Sequence, residues 1–353
     1  MSGAPGDATG LDTWLDRLFD RLRVSPLWVA LLGSAALLAV FVALAAATGD
    51  LAAFLASGSG VWQNRDARLA VLLSLFVAYL PLARRALLRG SRANLEALRA
   101  SPALRPVGLS TLLAGLPEPS RRGRGLAGAL GVLFVPLTAL LVDRDPGLYL
   151  RADYWHLAQL WEFGLGGLLG WNAGRLAHAM RSEGKRFSEL GRRLPRVDLL
   201  DPASLEPFAR QGLLFALPGL ILLSFFAFNL GDRGWIGAAL VLGTATLAWT
   251  GVAAWLPLRG VHERMRRAKA EELACVHAAI HGDVAALAGS AIADRAASAG
   301  LADLVAWRAL VLAAPEWPLP PGLRARFALY LALPLGSWLG GALAERAIDA
   351  LLG

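Results

Sequence analysis

From residue 27 onward the chain alternates apolar runs with arginine-rich polar stretches. Seven runs stand out: 27–47, 69–83, 125–142, 157–174, 212–230, 234–258 and 327–344. Most approach the ~20 apolar residues that a helix needs to cross a ~30 Å hydrocarbon layer. The second is short, but Arg68 and Arg84 bracket it, and their long stems can carry the charge outward to the headgroups. Pro136 and Pro218 fall inside the third and fifth runs, where proline is common in spanning helices and marks a kink at most. The pattern predicts an all-α fold: a polytopic membrane helix bundle of about seven transmembrane helices with helical cytoplasmic extensions.

The stretch 157–195 organises this reading. Its apolar part LAQLWEFGLGGLLGWNAG continues without a break into RLAHAMRSEGKRFSELGRRLP. Twelve uncharged residues separate Glu162 from Arg175, about 18 Å of helix, so in a bilayer Glu162 sits inside or at the outer lip. Steps of four from Glu162 give Gly166, Gly170 and Gly174, a ladder of small residues that lets a second helix approach closely. A central, buried helix is expected. A second ladder, Gly336, Gly340 and Ala344, lies on the last run, and the two could pack on each other or across a dimer.

Four regions follow from the pattern. Residues 1–26 hold an amphipathic segment with Leu11, Trp14, Leu15, Leu18, Phe19 and Leu22 on one face, suited to a helix in the membrane interface or against the cytoplasmic segment. Residues 27–258 form a six-helix membrane bundle of three hairpins, the second helix of each running on into a basic extension. The motif Tyr79-Leu80-Pro81-Leu82 matches Trp255-Leu256-Pro257-Leu258 at two of these exits, which suggests a duplication on a short match. Residues 259–325 make a small helical cytoplasmic segment. Its first helix carries Val261, Met265, Val276 and Ile280 as an apolar stripe to a stop at Gly282-Asp283, and a second near 301–314 presents Leu301, Leu304, Val305 and Leu312. About 67 residues is too few for an independent catalytic domain. Residues 326–353 supply the seventh helix, which could instead be re-entrant, and a tail.

Composition agrees: of 353 residues 56% are hydrophobic and 18% charged. The formal charge of +8 would suggest nucleic acid in a soluble chain, but here the cations flank apolar runs and no basic–aromatic module accompanies them. Of 35 basic residues, the N-terminal segment and the connections after the second, fourth and sixth runs hold 3, 9, 8 and 9, so 29 fall on one side. By the positive-inside rule the N-terminus is cytoplasmic. Trp28 and Trp255 then lie near the inner boundary, and Trp62, Trp155, Trp161 and Trp235 near the outer one. Lys185 and Lys269 are the only lysines, a codon signature of a GC-rich bacterial genome, which places the protein in a bacterial inner membrane. No cleavable signal peptide is expected.

Little chemistry accompanies this topology. The candidate intramembrane polar site is Glu162, with Asn172, Asn229 and His156 as possible neighbours; a structural acid tied to Arg144 or Arg151 is the plainer reading. His277 and His281 stand four apart, a spacing that zinc sites use, but no Glu follows His277 and Cys275 points elsewhere, so no metal site is expected. Single Cys275 excludes an internal disulfide. There is no phosphate-binding glycine–lysine loop and no nucleophile elbow. No catalytic residue and no cofactor is assigned. The leading expectation is a sensor, scaffold or assembly protein that docks a protein partner or anionic lipid headgroups on its basic cytoplasmic face. An ion- or proton-coupled transporter or channel using Glu162 is the alternative, and a membrane-embedded enzyme the third.

Overall fold

A computed structural model describes residues 25–57, 64–101, 109–116, 120–142, 146–151, 155, 157–228, 236–294, 300–320, 322–330, 332 and 336. Among the described residues nine bounded α-helices with short 3-10 turns are followed by a further helical stretch at 322–330, and no strand occurs. They are α1 (Pro26–Thr48), α2 (Asp50–Ser57), α3 (Arg65–Ala100), α4 (Leu109–Leu113), α5 (Arg121–Val142), α6 (Leu157–Arg192), α7 (Glu206–Phe228), α8 (Ile236–Ile280) and α9 (Leu301–Ala313). The N-terminal amphipathic segment lies outside the described residues.

Four helical stretches are long and apolar enough to cross a membrane: Pro26–Thr48, Asp66–Ala100, Pro202–Ser224 and Leu240–Ile280. Four, not seven, therefore meet that test among the described residues. The fourth run is helical within α6, but its glycines, Glu162 and Asn172 dilute its apolarity. Most of the seventh run lies outside the described residues. Large apolar side chains are exposed on α1, α5 and α8, among them Leu32, Leu126 and Val241. Exposed large apolar side chains on three helices fit a hydrocarbon surround better than water.

Local signals set the helix ends. Ser25 Oγ caps α1 by accepting from Trp28 N at 3.4 Å, with Pro26 in the first position, and Gly49 ends it at φ 86°. Asn64 Oδ1 caps α3 through Ala67 N at 3.0 Å. Gly282, at φ 102°, follows the end of α8.

Close contacts fix the pairing. Ser34 Oγ donates to the Ser74 carbonyl at 3.3 Å, and Phe41 packs with Ala70, so α1 runs antiparallel to α3. Gly131 meets Gly170 and Ala127 meets Gly174, so α5 runs antiparallel to α6. Gly212 meets Ala254 and Gly219 meets Thr250, so α7 runs antiparallel to α8. Between hairpins, Gly184 faces Leu256 and Gly191 faces Val261, so α6 and α8 run in the same sense. Helix α6 touches α1, α3, α5, α7 and α8.

The second helix of each pair has 36, 36 and 45 residues, roughly 54–68 Å long and well beyond the ~30 Å of a hydrocarbon layer. Because these helices share one direction, their arginine-rich surplus gathers at one end of the bundle. The tightest core lies there: Leu98, Phe187, Leu190, Leu205, Phe208, Val261 and Met265 are packed together, with Phe187 and Phe208 edge to face at 6.0 Å. The change of composition at residue 259 falls inside the unbroken helix α8, which carries the 259–320 segment on its extension.

Candidate functional site

The arginine-rich end is where charge, burial and packing coincide. The stretches 84–92, 120–125 and 175–182 carry nine arginines and no Asp or Glu. The antiparallel α5–α6 register sets the first turn of α5 against residues 177–181 of α6: the His178 ring lies where a methyl on Gly123 would stand, 2.8 Å from its Cε1. Ser120 Oγ caps that turn through Gly123 N at 2.8 Å. Leu87 and Leu88 of α3 pack on Leu176 and Met180. This burial draws Arg84 and Arg85 in to 7% and 8% exposure.

Electrostatics reflect the crowding. Burial pushes the His178 pKa down, and the positive charges of Arg124 and Arg181 push it further the same way. Burial likewise lowers that of Arg124, aided by Arg84 and Arg121. One turn further along α6, burial raises Glu183 above the usual carboxylate range, opposed by Arg186 and Arg92. Glu183 is 3% exposed, with Oε1 3.8 Å from Arg186 Nη1. Beyond it Arg192 Nε and Arg259 Nε each hold Glu263 at 2.8 Å, linking α6 to α8.

Two polar nodes fix the surrounding helices. Gln211, fully buried in α7, accepts from Asn94 Nδ2 at 2.8 Å and donates to Ser91 Oγ at 2.7 Å, tying α7 to α3. Glu272 of α8, 7% exposed, accepts from Ser290 Oγ at 2.5 Å, Ala291 N at 2.9 Å and Trp307 Nε1 at 2.7 Å. That carboxylate clamps α9 to α8. His262 stacks on Trp317 at 4.0 Å, and Lys269 Nζ caps the end of α9 through the Leu312 and Ala314 carbonyls, each at 2.9 Å.

The expected site residues disperse. Glu162 lies near the start of α6 with its Oε1 shielded from solvent, beside Trp161, which packs on Phe41 of α1 at 5.1 Å. Asn172 Nδ2 donates to the Leu168 carbonyl of its own helix at 2.8 Å. His156 and Asn229 lie outside the described residues. Gly170 and Gly174 contact the α5 backbone, and Gly166 is buried. A methyl on Gly336 would meet nothing within 4 Å, and Gly340 lies outside the described residues. His277 and His281 are exposed, edge to face at 4.5 Å, and no three His, Cys, Asp or Glu gather as a metal site among the described residues. On α9 the apolar face expected to be presented is divided: Leu304 is buried, whereas Leu301, Val305 and Leu312 are exposed.

The buried polar residues Asn94, Gln211 and Glu272 escape a reading by composition. For Gln211 the signal was present: Phe208 and Phe215 flank it at i−3 and i+4, placing an amide on a wholly apolar face. No protein-family model matches this chain, and neither the curated proteins nor the solved structures hold a match.

Proposed function

We propose that the chain is a multi-pass membrane protein of about seven spans, N-terminus cytoplasmic, that docks an acidic protein partner at its arginine-rich end. The observation that carries this is the mounting of α9. One face, with Leu304 and Val311, is buried, and Trp307 binds the Glu272 carboxylate at 2.7 Å. The adjoining flank, about 90° round the helix, leaves Leu301, Val305 and Leu312 exposed at 63%, 52% and 49%. A rigidly held helix with an exposed apolar flank, carried on the α8 extension that also bears the exposed Arg266 and Arg267, suits an apolar anchor ringed by acidic groups. A photo-crosslinker at Val305 should capture one defined protein in cells, and Leu301→Arg/Leu312→Arg should remove that product. A product that persists in the double variant, or none at all, overturns docking through α9.

A second reading rests on Glu162, whose shielded carboxylate oxygen on the central helix suits ion or proton handling. In proteoliposomes, a flux that Glu162→Gln abolishes would establish it; no flux under any gradient would make Glu162 structural.

A further inference from the structure

We propose that the first turn of α5 binds the phosphate of an anionic phospholipid, with one acyl chain lying along the leucines below it. This deepens the membrane reading and does not depend on the docking of a protein at α9.

Helix α5 carries a stripe along one side. Residues 122, 126, 130, 133 and 137 fall on one side of α5 and read Arg, Leu, Leu, Leu, Leu. The four leucines are all exposed, from 53% to 63%, and Arg122 is exposed at their head. A cation at one end of a bare leucine track has the amphipathic order of a phospholipid. Neighbouring cations concentrate at the same level. Arg121 and Arg124 share the first turn, Arg84 of α3 is close enough to Arg124 to disfavour its charge, and Arg181 acts on His178 in the same way. Arg84 and Arg124 stand next to the ends of two apolar runs, at Ala83 and Gly125, so these two cations lie at the edge of the apolar region. That edge is the phosphate layer if the runs span. Glu183, the nearest carboxylate along α6, is engaged with Arg186 and Arg92 one turn further from the apolar region.

Arg121 and Arg122 are both exposed on this turn, so a phosphate there meets two positive charges at once. A phosphodiester offers acceptor oxygens to several guanidinium groups at once, and basic pockets between spanning helices are established seats for anionic headgroups. A zwitterionic lipid brings a compensating ammonium and gains less.

The test is native mass spectrometry of the full chain in neutral detergent with equal dioleoyl-phosphatidylglycerol and dioleoyl-phosphatidylcholine. The expected result is preferential retention of phosphatidylglycerol. Arg121→Gln/Arg122→Gln should reduce that preference about tenfold, and Arg121→Lys/Arg122→Lys should keep most of it, because the charge survives. Arg266→Gln/Arg267→Gln, an equal loss of charge on the exposed surface of α8, should leave it unchanged. Equal loss in that α8 variant, equal retention of both lipids by the native protein, or a lysine variant as poor as the glutamine one would each overturn the proposal. So would full displacement of phosphatidylglycerol by millimolar inorganic phosphate, which would make the ligand a soluble phosphate.

Discussion

Gly131 of α5 and Gly170 of α6 face each other with their backbones in direct contact, so that a methyl on either would overlap the other's carbonyl. The same approach recurs one turn on, between Ala127 and Gly174. Small residues at four-residue spacing allow two helices to close until main chain meets main chain, gaining dispersion contact that larger side chains would prevent. Gly170→Ala and Gly131→Ala should therefore each destabilise the protein in detergent by about 1–3 kcal/mol, since rigid backbone cannot step aside. A methyl on Gly164, on the same helix, meets nothing within 4 Å, so Gly164→Ala should be neutral or stabilising by up to about 1 kcal/mol. Thermal unfolding checks the pair; equal effects at Gly164 and Gly170 would contradict the crossing.

Gln211 bridges Asn94 and Ser91 with no access to solvent. Gln211→Leu would strip both of the partner they have, at about 1–3 kcal/mol for each unsatisfied group. A double-mutant cycle of Gln211→Ala with Asn94→Ala should show coupling above about 0.5 kcal/mol. Additive effects would mean that the two amides act separately.

Trp307 Nε1 and Glu272 hold α9 on α8, with Ser290 and Ala291 completing the carboxylate's partners. Trp307→Phe keeps most of the ring packing and removes one donor to a charged acceptor, a change of about 1.5–3 kcal/mol. Amide exchange across 301–313 should accelerate while α8 stays protected. Unchanged exchange in α9 would show that packing through Leu304 and Val311 suffices.

His178 titrates below the ordinary 6.5 because burial, then Arg124 and Arg181, disfavour its cation. The unfolded chain thus binds this proton more readily than the folded one, so the fold loses stability as pH falls below about 6.5. Arg124→Gln should raise the His178 pKa, read from its ring proton by NMR, and shrink the loss of stability between pH 7 and pH 5. Phosphatidylglycerol should also raise it if a phosphate occupies the α5 turn, while phosphatidylcholine should leave it in place. A His178 titration insensitive to Arg124 would separate the two groups.

Periodicity alone made α6 legible as a long helix with a glycine ladder, because helical spacing and the absence of a Cβ act locally. It also showed Val261, Met265 and Val276 as one buried stripe, for the same reason. Arginine distribution marked which ends of the apolar runs share a side. What the ladder packs against came only from the tertiary structure: Gly170 meets Gly131 because α5 and α6 are antiparallel in one register, which no single helix contains. The ion link of Arg192 to Glu263, the Gln211–Asn94 bond and the Trp307–Glu272 clamp join residues 71, 117 and 35 positions apart. Polar groups of that kind look exposed in a helical pattern until another helix covers them. Orientation in a bilayer is the reverse case: the sequence carries that expectation in its charges, because insertion responds to arginines flanking each run, whereas packing of the helices is the same whichever end faces the cytoplasm.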